Sequence, residues 1–128
     1  MAGVPHLDRP TILVVEDEFI IALDVSETVK DLGYAVEGPF ADQETAFIAI
    51  DRAMPDCAIL DVFTRDGEVY PLADRLVEEG VPIVFHSGHV TPAEVRERYP
   101  DAVACRKPCP PDQLIDALQE AVAKAHQD

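Results

Sequence analysis

Five short apolar runs alternate with helical patterns along this chain, and that alternation most constrains its fold. Each run is rich in apolar or β-branched residues and is bounded by turn signals or acidic residues, as is typical of strands buried on both faces of a sheet. The predicted strands span 11–15, 34–38, 57–61, 81–85 and 102–105. Strands that alternate with helices predict an α/β fold, a doubly wound five-stranded parallel sheet with five helices in three layers.

Capping and turn residues indicate where the helices begin and end. Gly33 closes the first predicted helix, and Asp42 caps the second. Thr91 offers a capping hydroxyl to the fourth helix, and the fifth follows Asp112. Between the third strand and the third helix, residues 62–67 are predicted to form a loop.

Length and charge narrow the class of protein. The 128 residues fit one domain, with 1–10 as a flexible N-terminal tail, 11–125 as the folded domain and no output domain. The chain start lacks a secretory signal and no run is long enough to span a bilayer, so a cytoplasmic protein without membrane contact is expected. The net charge of −15 argues against direct nucleic-acid binding and is compatible with a cation site and basic protein partners.

The three cysteines are Cys57, Cys105 and Cys109, an odd count without a CxxC pair. Cys57 and Cys105 fall in predicted strands, where buried free thiols are common. This pattern favours reduced cysteines over a disulfide or a metal site.

Carboxylates follow two predicted strands, at the edge where open parallel sheets bind ligands. Glu16 and Asp17 come directly after the first strand, and Asp61 ends the third. Crowded carboxylates repel one another unless a cation neutralises them or some of them protonate. Hard oxygen ligands in that number suit Mg²⁺, which would also screen an approaching phosphate. Alternatively, Asp61 caps a turn and the acids at 16–18 favour a helix N-terminus.

The fourth and fifth strands bring phosphate-binding groups to the same edge. Ser87 is a hydroxyl donor, Gly88 leaves the neighbouring space open, and Lys107 is a point charge suited to a phosphoryl oxygen. Taken singly, Ser87 could equally be a turn residue, and Lys107 could be a solvated charge on the surface. One phosphate site explains all four strand ends, so the sequence favours Asp61 as a phosphoryl acceptor.

Four motifs at these strand ends resemble the receiver domain of two-component response regulators, over about residues 11–125. They are Ile-Leu-Val-Val-Glu16-Asp17-Glu18, Ala-Ile-Leu-Asp61-Val, Ile-Val-Phe-His-Ser87-Gly88 and Arg-Lys107-Pro108. The resemblance implies a flavodoxin-like, CheY-like fold with strand order 2-1-3-4-5. It also implies a place in a phosphorelay, with a sensor histidine kinase or a histidine phosphotransfer protein as the phosphodonor.

The resemblance implies roles for the acidic residues. Asp61 would be the phosphorylated aspartate. Mg²⁺ would be bound by Asp17, Asp61 and the backbone carbonyl of Phe63. Glu16 would assist through a water molecule.

The resemblance also implies the parts of the switch. Ser87 would be the switch hydroxyl, Lys107 the phosphoryl contact, and the bond from Lys107 to Pro108 a cis peptide. More narrowly, segments 66–74 and 85–88 resemble the stand-alone α-proteobacterial receivers called FATGUY regulators.

Two departures from the family pattern affect the expected switch. Receivers carry an aromatic residue three positions before the strand-five lysine, where this chain has Ala104, so movement of segment 86–91 is expected to replace that aromatic toggle. Phe63 and His89 lie two residues beyond the acceptor aspartate and the switch hydroxyl, where family members tune the access of water. We expect these two rings to set the lifetime of the phosphoaspartate.

Signal transfer is expected through protein contacts, with the kinase on the first helix and the output through the fourth and fifth helices. The protein is expected to assist its own phosphorylation and dephosphorylation without being an enzyme otherwise.

The alternative functions are a phosphate sink for a kinase, a receiver-fold module that works without phosphorylation, and a phosphatase of the haloacid-dehalogenase type. The phosphatase would need a second aspartate where this chain has Phe63. A nucleotide-binding module would need GxGxxG where it has acids at 16–18.

Overall fold

The computed structural model describes residues 9–125, which form one parallel sheet covered by helices. The strands are β1 (Thr11–Val15), β2 (Ala35–Phe40), β3 (Cys57–Leu60), β4 (Ile83–Ser87) and β5 (Val103–Arg106). The helices are α1 (Phe19–Asp31), α2 (Gln43–Arg52), α3 (Tyr70–Glu78), α4 (Pro92–Arg98) and α5 (Pro111–Ala125). The sheet order is β2-β1-β3-β4-β5 with every neighbouring pair parallel, which confirms the predicted fold class and strand order. Within residues 9–125, no helix combines the length and apolarity needed to cross a bilayer.

Alternate residues of each central strand face opposite sides of the sheet and build two cores. On one side, α2, α3 and α4 cover a core that contains Leu13, Leu60 and Phe85. On the other side, α1 and α5 cover Val14 and Ile59. Full burial of a large apolar side chain contributes roughly 1.5–3 kcal/mol. Because the central strands are buried on both faces, the sheet is a rigid base for the groups at its carboxyl edge.

The predicted caps at Asp42 and Thr91 are confirmed by their hydrogen bonds, whereas the last helix begins at Pro111 and so includes Asp112 instead of following it. The Asp42 carboxylate accepts from the N–H of Thr45 at 2.8 Å, at the start of α2. Thr91 and Glu94 form a reciprocal capping box at the start of α4. Gly33, just after α1, has a φ of +89°, a backbone conformation that favours glycine.

Strand β2 is longer than predicted, because Pro39 does not end it. The strand runs on through Pro39 to Phe40. It lies at the edge of the sheet, where the missing N–H of proline is tolerated. A β-carbon at Gly38 (φ +107°) would meet the Val14 carbonyl oxygen at 2.9 Å, so this position requires glycine. The extension lets the Phe40 carbonyl accept a hydrogen bond from the N–H of Glu16 at 2.8 Å, which fixes the first acidic residue.

Strands β4 and β5 lie further along the chain than the predicted 81–85 and 102–105. The N–H of Val81 donates to the carbonyl of Leu76 at 2.9 Å, so this residue closes α3 instead of opening a strand. Apolar composition alone does not distinguish these two roles. The shift places Ser87 inside β4, where the ladder to β5 holds it.

The predicted N-terminal tail, residues 1–10, falls mostly outside the described residues. Pro10 is described, and its carbonyl accepts a hydrogen bond from the N–H of Ala35 at 2.9 Å. Pro10 therefore already belongs to the edge of the sheet.

The predicted reduced state of the cysteines is wrong for two of the three. Cys105 and Cys109 form a disulfide, with their Cα atoms 6.0 Å apart. The turn after β5 returns the chain and brings both within the range that a disulfide spans. Sequence spacing does not show such a turn. Cys57 is free and buried, as predicted.

Candidate functional site

Acidic side chains meet where β1 and β3 end. The two strands are neighbours, and the N–H of Asp61 donates to the Val15 carbonyl at 3.0 Å, so Asp61 directly follows β3 beside the end of β1. Four carboxyl groups offer oxygens that all lie within 4.8 Å of one another, namely those of Glu16, Asp17, Glu18 and Asp61. Glu16 and Asp61 are only 5% and 4% exposed, whereas Asp17 and Glu18 are exposed. The structure thus brings together the three predicted acids and adds Glu18.

The Lys107 ammonium reaches this acidic cluster from the end of β5. Its Nζ lies 2.7 Å from Glu16 Oε1 and 3.0 Å from Asp61 Oδ2. A third contact, to Glu18 Oε1, is 3.3 Å long. The backbone N–H of Lys107 donates to the Ser87 carbonyl at 3.0 Å and so continues the ladder between β4 and β5. One cation therefore bridges carboxylates from the ends of two other strands.

Burial and charge shift the pKa values in this cluster. Burial raises the pKa of Glu16 to about 7, although its hydrogen bond with Lys107 acts in the opposite direction. Burial alone would lower the pKa of Lys107, but the hydrogen bonds and charges of Glu16 and Asp61 outweigh it and raise that pKa. Four carboxyl groups face one ammonium, so the cluster has capacity for a second cation.

The donor set fits a divalent cation that prefers oxygen ligands. All four grouped side chains are carboxylates, the ligand type of Mg²⁺ and Ca²⁺. The N–H of Phe63 donates to Asp61 Oδ1 at 3.4 Å, so the segment with the predicted carbonyl ligand lies beside the same carboxylate. Glu16, Asp17, Asp61 and Phe63 are therefore close together, while the choice of Mg²⁺ stays a prediction.

The predicted phosphate-binding residues lie at the same edge. Ser87 is buried at the end of β4, and its hydroxyl oxygen accepts a hydrogen bond from the N–H of His89 at 3.2 Å. A β-carbon at Gly88 would lie 3.5 Å from the β-carbon of Lys107, so Gly88 packs closely against the lysine stem. The peptide bond between Lys107 and Pro108 is cis, as predicted.

Two aromatic rings connect the loops on either side of the site. Phe63 follows β3, His89 follows β4, and their rings meet edge to face at 5.1 Å and 83°. Phe63 is 38% exposed, so the pair lies at the surface. An edge-to-face pair stabilises the relative position of two rings. The two residues predicted to tune water access therefore touch, although that role stays a prediction.

Hydrogen bonds that no sequence pattern predicted form a latch that holds the segment carrying Phe63. The predicted loop contains a hairpin of two short strands, Phe63–Thr64 and Gly67–Glu68. At its tip, the Asp66 carboxylate accepts from the backbone N–H groups of Gln43 (2.9 Å) and Glu44 (3.2 Å) at the start of α2. The buried side chain of Gln43 donates to the Glu68 carbonyl at 2.7 Å. An Asp-Gly pair signals a turn, but no local pattern shows that the turn caps a distant helix.

Replacing Asp66 by alanine is expected to lower the free energy of unfolding by about 1 kcal/mol, the usual loss for a helix-capping carboxylate. The hydrogen bond from the Gln43 N–H is the main cause of the lowered pKa of Asp66. A carboxyl with a lowered pKa stabilises the fold above its unfolded pKa and loses that contribution as the pH falls through the folded value. Urea unfolding should thus show a difference at neutral pH that disappears in acid. Asp116→Ala, at an exposed position of α5, is the control, and an equal loss there would contradict the latch.

Ala104 packs against the same core as a tyrosine that directly follows α4. Ala104 is paired with Phe85 in the ladder between β4 and β5. The buried ring of Tyr99 lies 5.1 Å from the Phe85 ring, and its hydroxyl donates to Asp74 at 2.7 Å. In this core, Phe85 of β4 and Tyr99, directly after α4, supply adjacent aromatic rings, while Ala104 of β5 contributes only a methyl group.

Comparison with known proteins agrees with the geometry. No family model matches the chain. The transcriptional regulatory protein PdtaR of Mycobacterium tuberculosis is 26% identical over 126 residues, which cover 96% of this chain but only 60% of PdtaR. The solution structure of SdrG from Sphingomonas melonis Fr1 is 30% identical, with a TM-score of 0.76 over 90% of this chain and 97% of SdrG. The signal receiver domain of a modulated diguanylate cyclase from Desulfovibrio desulfuricans G20 is 25% identical, with a TM-score of 0.78 over 92% of this chain and 97% of that domain.

The sheet order, the acidic cluster with its lysine and these relationships lead to one class. The chain belongs to the receiver domains of response regulators, which act in two-component signalling.

Proposed function

We propose that this receiver domain accepts a phosphoryl group on Asp61 from a phosphohistidine of a kinase or a phosphotransfer protein. The observation that carries the proposal is the contact of the Lys107 ammonium with Asp61 at 3.0 Å and Glu16 at 2.7 Å, inside a cluster of four carboxyl groups. A nearly buried aspartate beside a fixed cation is well placed as a nucleophile, because the cation already lies where it stabilises the negative charge of the incoming phosphoryl group.

The proposed transfer uses one Asp61 carboxylate oxygen as the nucleophile. A new O–P bond forms as the P–N bond to the donor imidazole breaks, and the imidazole takes up a proton as it leaves. Lys107 stabilises the negative charge on the phosphoryl oxygens during the transfer. Glu16, Asp17, Asp61 and the Phe63 carbonyl would hold Mg²⁺, which supplies further positive charge for an incoming phosphate when bound.

The proposed switch follows from the added charge. A phosphoryl group on Asp61 recruits the hydroxyl of Ser87, which then gives up its hydrogen bond from the N–H of His89. Segment 86–91 shifts with it, and this change biases an equilibrium between two forms of the face around β4 and β5. Apart from assisting its own phosphorylation and dephosphorylation, the chain has no enzymatic step in this proposal.

Helix α1 is the proposed docking surface for the phosphodonor. Its first turns follow the acidic cluster directly and carry exposed apolar side chains. Phe19 is 72% exposed, and Ile20 and Leu23 are exposed as well. Exposed apolar side chains grouped beside a site favour protein contact. The output is proposed to leave through α4 and α5. The partner kinase, the FATGUY subfamily and the cytoplasmic location stay predictions from the sequence.

Intact mass after incubation with acetyl phosphate tests the proposed function. A phosphoryl adduct is expected with Mg²⁺, a much weaker one in a chelator, and none in Asp61→Asn. Asp116→Asn, at an exposed position of α5, should form the adduct normally. A folded protein that forms no adduct and does not respond to Mg²⁺ or beryllofluoride would favour a receiver-fold module that works without phosphorylation.

The ring pair is expected to control how long the phosphoryl group stays on Asp61. Phe63→Asn and His89→Ala each remove one ring of the contact at 5.1 Å and open the site to water. Both should lose the phosphoryl group several-fold faster than the parent protein, measured by the decay of the adduct after the donor is removed. Ile48→Asn, at an exposed position of α2, should decay at the parent rate. Unchanged decay in both ring variants would rule out this role.

A further inference from the structure

We propose that the disulfide between Cys105 and Cys109 is a redox switch that sets how firmly Lys107 is held against the acceptor carboxylate. The inference rests on the proposed role of Asp61 and extends it to two cysteines that the phosphoryl chemistry does not use. The bond encloses residues 106–108, and the middle residue of that turn is Lys107.

The bridge ties the turn back to the sheet. Cys105 is held in β5 opposite His86, whereas Cys109 lies beyond the strand, before the start of α5. The two residues are four positions apart, with their Cα atoms at 6.0 Å. Closing so short a loop adds little to global stability compared with a long one. The effect of the bond therefore falls mainly on the turn that carries Lys107.

The two sulfurs differ in access. Cys109 is half-buried and lines a groove of about 650 Å³ between α1 and the turn, beside Ile21 and Asp24. Cys105 is only 8% exposed. A small thiol or disulfide in solution therefore meets Cys109 first, and Cys105 acts as the resolving partner.

The redox step is a thiol–disulfide exchange with a low-molecular-weight disulfide such as glutathione disulfide. The Cys109 thiolate attacks one sulfur of the oxidant, forms a mixed disulfide and releases one thiol. The Cys105 thiolate then attacks the Cys109 sulfur and displaces the second thiol. The two cysteines lose two protons and two electrons, and the oxidant takes them up as two thiols.

Cys57 provides an internal contrast. It lies in the middle of the sheet, fully buried, and burial raises its pKa to about 12. Thiolate is the reactive form of cysteine, so Cys57 stays inert under conditions in which the pair exchanges.

Reduction removes the tether while leaving the fold in place. With the bond in place, Lys107 contacts Glu16 and Asp61. Without it, the backbone of Lys107 would gain freedom on the side of Cys109. A charge that stabilises a transition state acts less well when its position is held less firmly, because it spends less time in the productive geometry. The oxidised protein is therefore the faster phosphoryl acceptor.

The test compares the oxidised and reduced protein in transfer from acetyl phosphate with Mg²⁺, with each redox state verified by thiol alkylation and mass. Reduction is expected to slow the transfer on the order of 10-fold, since a misplacement of about 1 Å at a reacting group costs up to about 100-fold. Cys57→Ala should keep the full redox response. Cys109→Ser should transfer at the reduced rate under both conditions.

Equal rates in the two verified states, or a redox response that persists in Cys109→Ser, would overturn the switch. If the oxidised protein takes no phosphoryl group at all, the function proposed for Asp61 fails instead. The redox switch is then tested without phosphoryl transfer, by the amide NMR signals of Lys107 and Ser87, which are hydrogen-bonded neighbours. Signals that move on reduction in the parent protein but not in Cys109→Ser support it, and unmoved signals reject it.

Discussion

Lys107→Met is expected to slow phosphoryl transfer from acetyl phosphate on the order of 100-fold, the usual loss when one preorganised charge-stabilising donor is removed. Methionine keeps most of the volume of the stem that packs against Gly88 but removes the ammonium that contacts Asp61 and Glu16. The rate is measured from the growth of the phosphoryl adduct at saturating Mg²⁺.

The same variant is expected to lose about 3 kcal/mol of unfolding free energy in chelator, because two nearly buried carboxyl groups lose their cation. Mg²⁺ should recover part of that loss, since it neutralises the same cluster. Lys124→Met is the control, because Lys124 lies in the exposed part of α5 and pairs with Glu120. A transfer rate equal to that of the control would contradict the role given to Lys107.

Asp17→Asn is expected to shift the Mg²⁺ dependence of phosphoryl transfer to much higher Mg²⁺ concentrations. Asp17 directly follows Glu16 and is one of two exposed members of the cluster, and one of its carboxylate oxygens lies within 4.8 Å of those of the other three residues. Loss of even an outer-shell partner of a metal weakens binding about 10- to 100-fold, so loss of a ligand should weaken it on the order of 100-fold. The rate of transfer at low millimolar Mg²⁺ should fall as the occupancy of the weakened site falls, and it should recover partly at higher Mg²⁺ concentrations.

Asp24→Asn provides the matched control for that variant. Asp24 is an exposed aspartate of α1 that lies outside the acidic cluster. Mg²⁺ titrations followed by thermal unfolding should give the parent midpoint for Asp24→Asn and a much weaker response for Asp17→Asn. Identical Mg²⁺ responses in the two variants would show that Asp17 is not a ligand.

The fold and the main site residues could be predicted from sequence for one physical reason. A parallel sheet brings the carboxyl ends of all its strands to one edge, so residues distant in the chain become neighbours once the strands are recognised. Asp61 and Lys107 are 46 positions apart, yet each lies at such an end, and the structure joins them at 3.0 Å. Errors of one or two residues in β4 and β5 did not change which side chains reach that edge.

The features that escaped prediction depend on loops. Asp66 caps a helix that begins 23 positions earlier, and no local pattern specifies that contact. The pairing of Cys105 with Cys109 depends on the path of a turn, and the odd cysteine count favoured the opposite conclusion. The second strand was predicted to end at position 38, just before Pro39, but the edge position of β2 tolerates the proline. Loop geometry depends on tertiary contacts, which sequence periodicity does not report.

The central claim is that Asp61 carries the phosphoryl group, and reductive trapping tests it most directly. After incubation with acetyl phosphate and Mg²⁺, sodium borohydride reduces an acyl phosphate to an alcohol and leaves free carboxylates intact. Tryptic cleavage after Arg52 and Arg65 then yields one peptide that contains Asp56 and Asp61, so Asp56 is an internal control. Acceptance at Asp61 predicts homoserine at position 61 and unchanged aspartate at position 56. Homoserine at another position, with Asp61 unmodified, would contradict the assignment.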